Sequence, residues 1–99
     1  MTVSKCQCPL CSAEARASDI DFGNRARVYC PTCTTYDLTE SAYKNLASSS
    51  RARVQTLVQR VKAAPTGKLL VITRDGAAYE HMDSKDDRPA PSWLPNHSA

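Results

Sequence analysis

Two short cysteine pairs constrain this chain more than any other feature. Cys8-Pro9-Leu10-Cys11 and Cys30-Pro31-Thr32-Cys33 share the pattern C-P-x-C, with eighteen residues between them. That interval falls within the window for two C-x-x-C pairs that share one tetrahedral metal ion. Two residues between cysteines form a turn tight enough to aim both thiolates at one point, about 2.3 Å from each sulfur. Proline at the second position fixes φ and pre-orders each turn. Cys8, Cys11, Cys30 and Cys33 are therefore expected to hold one structural zinc ion (Zn2+). Four sulfur ligands leave no open coordination position, so the site is predicted to support the fold and not to catalyse.

The rest of the N-terminal segment explains why such a staple is needed. Its first forty residues hold few large aliphatics beyond Leu10, Ile20, Val28 and Leu38. A bound zinc ion contributes on the order of 10 kcal/mol to folding, enough to offset a core this thin. The N-terminus has no apolar run, and no stretch approaches the roughly 20 apolar residues of a membrane helix. The expectation is a cytoplasmic protein with reduced thiols and no membrane contact. A fifth cysteine, Cys6, is left over. It reads either as a spare thiol near a frayed terminus or, through Cys6-Gln7-Cys8, as a ligand that exchanges with Cys11.

Along the chain, Gly23-Asn24 marks a turn between two short runs spanning Ile20 to Tyr29, and Tyr36-Asp37-Leu38 can add a third strand. Thr39 is placed to cap a short helix over Glu40 to Ala47. Ser48-Ser49-Ser50 breaks that helix and caps a second. From Arg51 to Ala64, Val54, Leu57, Val58 and Val61 recur at i, i+3, i+4 and i+7, one face of an amphipathic helix. Pro65-Thr66-Gly67 ends it. Leu69 to Thr73, Asp75-Gly76 and Ala77 to His81 then read as a β-hairpin. After Met82 the composition turns to Asp, Ser, Lys, Arg and Pro, which predicts a disordered tail over 83–99 carrying the apolar pair Trp93-Leu94. Trp93-Leu94 can dock on the domain or on a partner.

The cysteine pairs, with Tyr36-Asp37-Leu38-Thr39 after the second, resemble the zinc-ribbon superfamily. They are similar in particular to bacterial and phage ribbons that read C-P-x-C … C-P-x-C-G-x-Y-x-I-T and run into a helix. The resemblance covers about residues 6–47 and implies a metal site and a ribbon fold without specifying a function. One position departs from it. Those ribbons have Gly after the last cysteine, where the backbone turns to positive φ, and this chain has Thr34. A β-branched residue there is strained.

The expected fold is α+β. A four-cysteine zinc ribbon over 1–39 is followed by a short helix, an amphipathic helix and a β-hairpin, packed with the ribbon as one compact unit over 40–82. Function is sought outside the cysteines. The net charge is only +3, yet Ser41 to Arg74 holds seven basic residues and no acidic one. Arg51, Arg53, Arg60 and Lys62 fall off the apolar stripe of their helix, and Arg25 and Arg27 sit on the ribbon hairpin. These six are candidates for contacting nucleic-acid phosphates in a transcription-associated regulator. The alternative is a protein adaptor or inhibitor that uses the Leu69–His81 edge, the helix face or Trp93. Nothing suggests an enzyme: His81 and His97 have no evident partners, and no phosphate loop or nucleophile motif occurs.

Overall fold

The structure, a computed structural model, describes residues 4–20, 24–46, 48–81, 91, 93 and 94. It contains β1 (Ser4–Gln7), β2 (Glu14–Asp19), β3 (Arg25–Cys30), β4 (Thr34–Thr39), α1 (Glu40–Leu46), α2 (Arg51–Lys62), β5 (Lys68–Thr73) and β6 (Gly76–His81). All six strands join one mixed sheet in sequence order. Neighbours run antiparallel except β4 and β5, which are parallel through Tyr36–Leu70, Asp37–Val71 and Leu38–Ile72.

This architecture corrects the expected one. The class is α+β, but the chain is not a ribbon followed by a separate hairpin. Parallel neighbours require a crossover, and α1 and α2 supply it. The expected terminal hairpin thus continues the cysteine-bearing sheet, with β5 hydrogen-bonded on both sides. The run Leu69-Leu70-Val71-Ile72 carries the reason. Its four side chains are all buried, so both faces of β5 are covered. An unbroken apolar run marks a strand buried on both faces, whereas a half-exposed hairpin strand alternates.

Local signals explain the crossover. The Thr39 hydroxyl accepts from Ala42 N–H at the start of α1, and the Ser50 hydroxyl accepts from Arg53 N–H at the start of α2. Leu57 and Val61 of α2 are buried against the sheet. They share one core with Cys6, Val28, Tyr36, Leu38, Leu70 and Ile72. Leu94 joins that core at 2% exposure, and Trp93 stacks obliquely on Tyr43 with ring centroids 5.7 Å apart. Apart from Pro91, Trp93 and Leu94, the tail expected over 83–99 lies outside the described residues, as do Asp21, Phe22 and Gly23 of the first expected turn. The Asp75-Gly76 turn forms one residue early: Arg74 and Asp75 make the loop, and Gly76 opens β6.

The opposite face of the sheet carries Arg27 and Asp37, directly paired across β3 and β4. Arg27 Nε donates to Asp37 Oδ1 at 2.8 Å and Nη2 donates to Oδ2 at 3.2 Å. Both residues are almost fully buried. Burial lifts the Asp37 carboxyl above its usual range even though Arg27 and Arg25 pull it down. Removing one partner of such a pair leaves a charge in a poor solvent. Asp37→Ala is expected to cost about 3 kcal/mol or more in urea unfolding. The double replacement Arg27→Met with Asp37→Leu should recover most of that loss.

Candidate metal centre

Each cysteine pair sits where two strands meet. The first fills the connection from β1 to β2, and the second closes the β3–β4 hairpin, whose last pair is Cys30–Thr34. In the first turn, Ser12 N–H donates to Cys8 O and Cys8 N–H donates to Ala13 O, both at 2.8 Å. In the second, Cys33 N–H donates to Cys30 Sγ at 3.3 Å.

Both turns then take the same unusual step. The residue after the second cysteine has positive φ: 66° at Ser12 and 79° at Thr34. The strain anticipated at Thr34 is thus adopted and not avoided. The equivalent step at Ser12 is not foreseen above, although the two-fold repeat of C-P-x-C points to it. A left-handed residue lets the backbone turn back toward its own cysteine sulfurs.

The four Sγ atoms of Cys8, Cys11, Cys30 and Cys33 lie within 4.8 Å of one another. A tetrahedron with arms of about 2.3 Å has edges of about 3.8 Å, so this spacing fits one metal ion. Cys8, Cys30 and Cys33 are buried and Cys11 is partly exposed. The surroundings suit sulfur anions. Leu10 and Cys11 backbone groups hydrogen-bond Cys8, Ala13 does so for Cys11, and the Tyr36 hydroxyl lies 3.2 Å from Cys8 Sγ. Such outer partners orient metal ligands and temper their charge. Tyr36 itself is fully buried.

Without a metal, Cys8 and Cys33 hold their protons. Burial pushes the Cys8 thiol up to about 11, and burial with its cysteine neighbours drives Cys33 further in the same direction. At Cys11 burial also acts upward, but hydrogen bonds from Ala13 and the other cysteines outweigh it and lower the thiol. A metal must displace these protons, so affinity rises with pH and the ion is released on acidification.

Cys6 is not at a frayed terminus: it lies in β1, outside the group of four cysteines. It is fully buried, pairs with Ala15 and belongs to the same core as Cys30. Burial and the neighbouring Cys30 raise its thiol to about 11. It serves as a small core residue.

The cationic candidates are scattered. Arg27 is buried in its pair with Asp37, and Arg25 lies 3.8 Å from Asp37 and 3.7 Å from Glu80. Arg60 is half-buried and engaged with β6. Arg51, Arg53 and Lys62 are exposed on α2 and make no ion pair among the described residues. No described helix is long and apolar enough to cross a membrane.

Comparison with protein-family models, curated proteins and solved structures finds no match to this chain. The ribbon-like site therefore rests on the cysteine geometry itself.

Native mass spectrometry at neutral pH should show one metal ion per chain. Cys30→Ser should lose it and Cys6→Ala should keep it, and acidification should release it from the unaltered protein. Thr34→Gly should relieve the left-handed strain, worth about 1–2 kcal/mol, against a glycine entropy cost of about 0.5–1 kcal/mol. A net gain of up to about 1.5 kcal/mol in unfolding of the metal-loaded protein is expected.

Proposed function

We propose that this chain is a non-catalytic zinc protein that binds the sugar–phosphate backbone of a nucleic-acid duplex through the outer face of α2. Zinc is the metal favoured by a closed set of four thiolates in a reducing compartment, with the cytosol as the natural location. The closed donor set favours a structural role over hydrolysis.

One observation carries the binding reading. The helix Arg51–Lys62 contains no acidic residue, and its exposed cations Arg51, Arg53 and Lys62 have no carboxylate partner among the described residues. Surface cations left unneutralised on one rigid element are the electrostatic footprint of a phosphate-binding face. Among the described residues Tyr29 alone is a large, well-exposed hydrophobic side chain, so base stacking on a single strand has little support. Arg25 and Arg27, spent on Asp37, are set aside from the phosphate-contacting group.

The adaptor reading is less well supported. Thr73 and Gly76 close a two-residue hairpin, so Ala77, Tyr79 and His81 turn their backbone groups out of the sheet edge. At this edge the Arg60 guanidinium donates to Ala77 O at 3.3 Å. A capped carbonyl is a poor template for an added strand. Trp93, the other docking candidate, already packs on Tyr43.

Fluorescence anisotropy with a random-sequence DNA duplex tests the proposal. Log affinity should fall with log salt at a slope of about −3 or steeper, at least one counterion for each of Arg51, Arg53 and Lys62. Arg51→Gln with Lys62→Gln should flatten that slope by about two. No binding at low salt would remove the reading.

A further inference from the structure

A cleft of about 290 Å³ lies between α2 and the β5–β6 turn, lined by Arg53, Thr56, Leu57, Arg60, Gly76 and Ala77. Its helical wall is a single stripe. Positions 53, 56, 57 and 60 recur at i, i+3, i+4 and i+7, so they line up over two turns, about 10 Å. Leu57 and Ala77 supply apolar lining, and the arginines stand toward its two ends. No carboxylate lines the cleft among the described residues. Asp75, the nearest acid in sequence, is exposed on the turn outside it.

The two arginines differ in a way that suits recognition. Arg60 is held in place by three contacts with β6. Its Nη2 donates to Ala77 O at 3.3 Å, and its Cζ lies 5.6 Å from the centroid of the Tyr79 ring. The Tyr79 hydroxyl in turn donates to Arg60 O at 2.8 Å, fixing the helix against β6. A guanidinium has five N–H donors, and the bond to Ala77 occupies one. The remaining donors are presented by a side chain whose rotamer entropy is already largely lost. Arg53 is exposed, and its side chain makes no hydrogen bond or ion pair among the described residues. It can close over a ligand from the other end. Thr56 is exposed at the rim, with its hydroxyl donating to Ala52 O.

A fixed planar fork, a second guanidinium and no competing carboxylate among the described residues select an anion with several oxygens in one plane or tetrahedron. We propose that this cleft is the anchoring phosphodiester site of the duplex-binding face, with Arg60 as the fixed fork and Arg53 as the closing arm. The inference rests on the nucleic-acid reading above. It adds that contact is not spread evenly over the cations of α2 but is concentrated at one phosphate seated between the helix and the β5–β6 turn. Arg51 and Lys62 then serve as flanking charges that add affinity without geometry.

The test uses the zinc-loaded full chain and a random-sequence DNA duplex at low salt. Four variants are compared: Arg53→Gln, Arg60→Gln, Arg60→Lys and the double Arg51→Gln/Lys62→Gln. Metal content and thermal unfolding are recorded for each. Arg53→Gln touches no structural contact, so it carries the test should Arg60 variants lose stability. Arg53→Gln is expected to weaken binding about tenfold or more, the effect of losing a bidentate charge-assisted contact. Arg60→Lys should lose as much as Arg60→Gln, because an ammonium keeps the charge but not the fork. The double variant should lose less than Arg53→Gln alone.

If duplex binding persists but Arg53→Gln weakens it no more than the double variant does, the anchoring site is wrong and the nucleic-acid reading stands. If Arg60→Lys binds as the unaltered protein does, the fork assignment is wrong. If polyglutamate displaces the duplex from the unaltered protein but not from Arg53→Gln, the cleft takes carboxylates and the phosphodiester assignment falls. If the unaltered protein binds no duplex at low salt, both readings fall together.

Discussion

Everything in the N-terminal half depends on four sulfur atoms meeting at one point. The strands β1, β2 and β3 meet the core largely through Cys6, Ala15, Ala17, Ala26 and Val28, side chains too small to hold three strands by burial alone. A metal ion held by the four sulfurs turns this weakness into a constraint. It would tie the β1–β2 connection to the β3–β4 turn and so fix the first four strands at their shared end. Tyr36 extends that constraint inward, because its hydroxyl meets Cys8 while its ring is buried among the residues that receive α2. The same picture holds for the deepest ligands: burial keeps the Cys8 and Cys33 thiols protonated when no metal is bound, and as neutral thiols they stabilise little.

The C-terminal half is held differently. There the core has full-sized side chains, Leu57, Val61, Leu70 and Ile72, packed between α2 and the sheet. The parallel pairing of β4 with β5 joins the two halves, and it leaves no seam at which a ribbon and a hairpin could be separated. The buried Arg27–Asp37 pair lies on the other face, one strand from β5. It gives the sheet's second face a specific register, since a one-residue slip would bring Arg27 opposite an apolar or hydroxyl side chain.

Much of this is legible in the residues. The spacing of the cysteines identifies the ligands, the i, i+3, i+4, i+7 stripe identifies α2, and the serine run before it identifies its cap. What escapes is non-local. Strand β2, Glu-Ala-Arg-Ala-Ser-Asp, has no β-branched or aromatic residue, and only pairing with β1 and β3 makes it a strand. The continuous run in β5 reads as one arm of a hairpin because of the turn after it, although its lack of alternation signals a central strand. Arg27 reads as a surface cation because its partner Asp37 is ten residues away, and only strand register brings them together. The role of Cys6 is hidden for the same reason.

The surface follows from these constraints. With Arg25 and Arg27 committed to the sheet, the cations of α2 are what is left to meet a partner, Arg60 among them braced against β6. Their helix is positioned by Tyr36, Leu70 and Tyr79, and the Tyr36 hydroxyl in turn meets Cys8 of the four-cysteine cluster. The most direct test of the fold's dependence on a metal there is amide hydrogen exchange before and after a chelator removes the metal. Residues of β1 to β4 are expected to lose protection first and most, with the Cys8–Ala13 and Cys30–Thr34 turns exchanging freely. Unchanged protection of those turns in the metal-free chain would contradict the dependence of the fold on the metal.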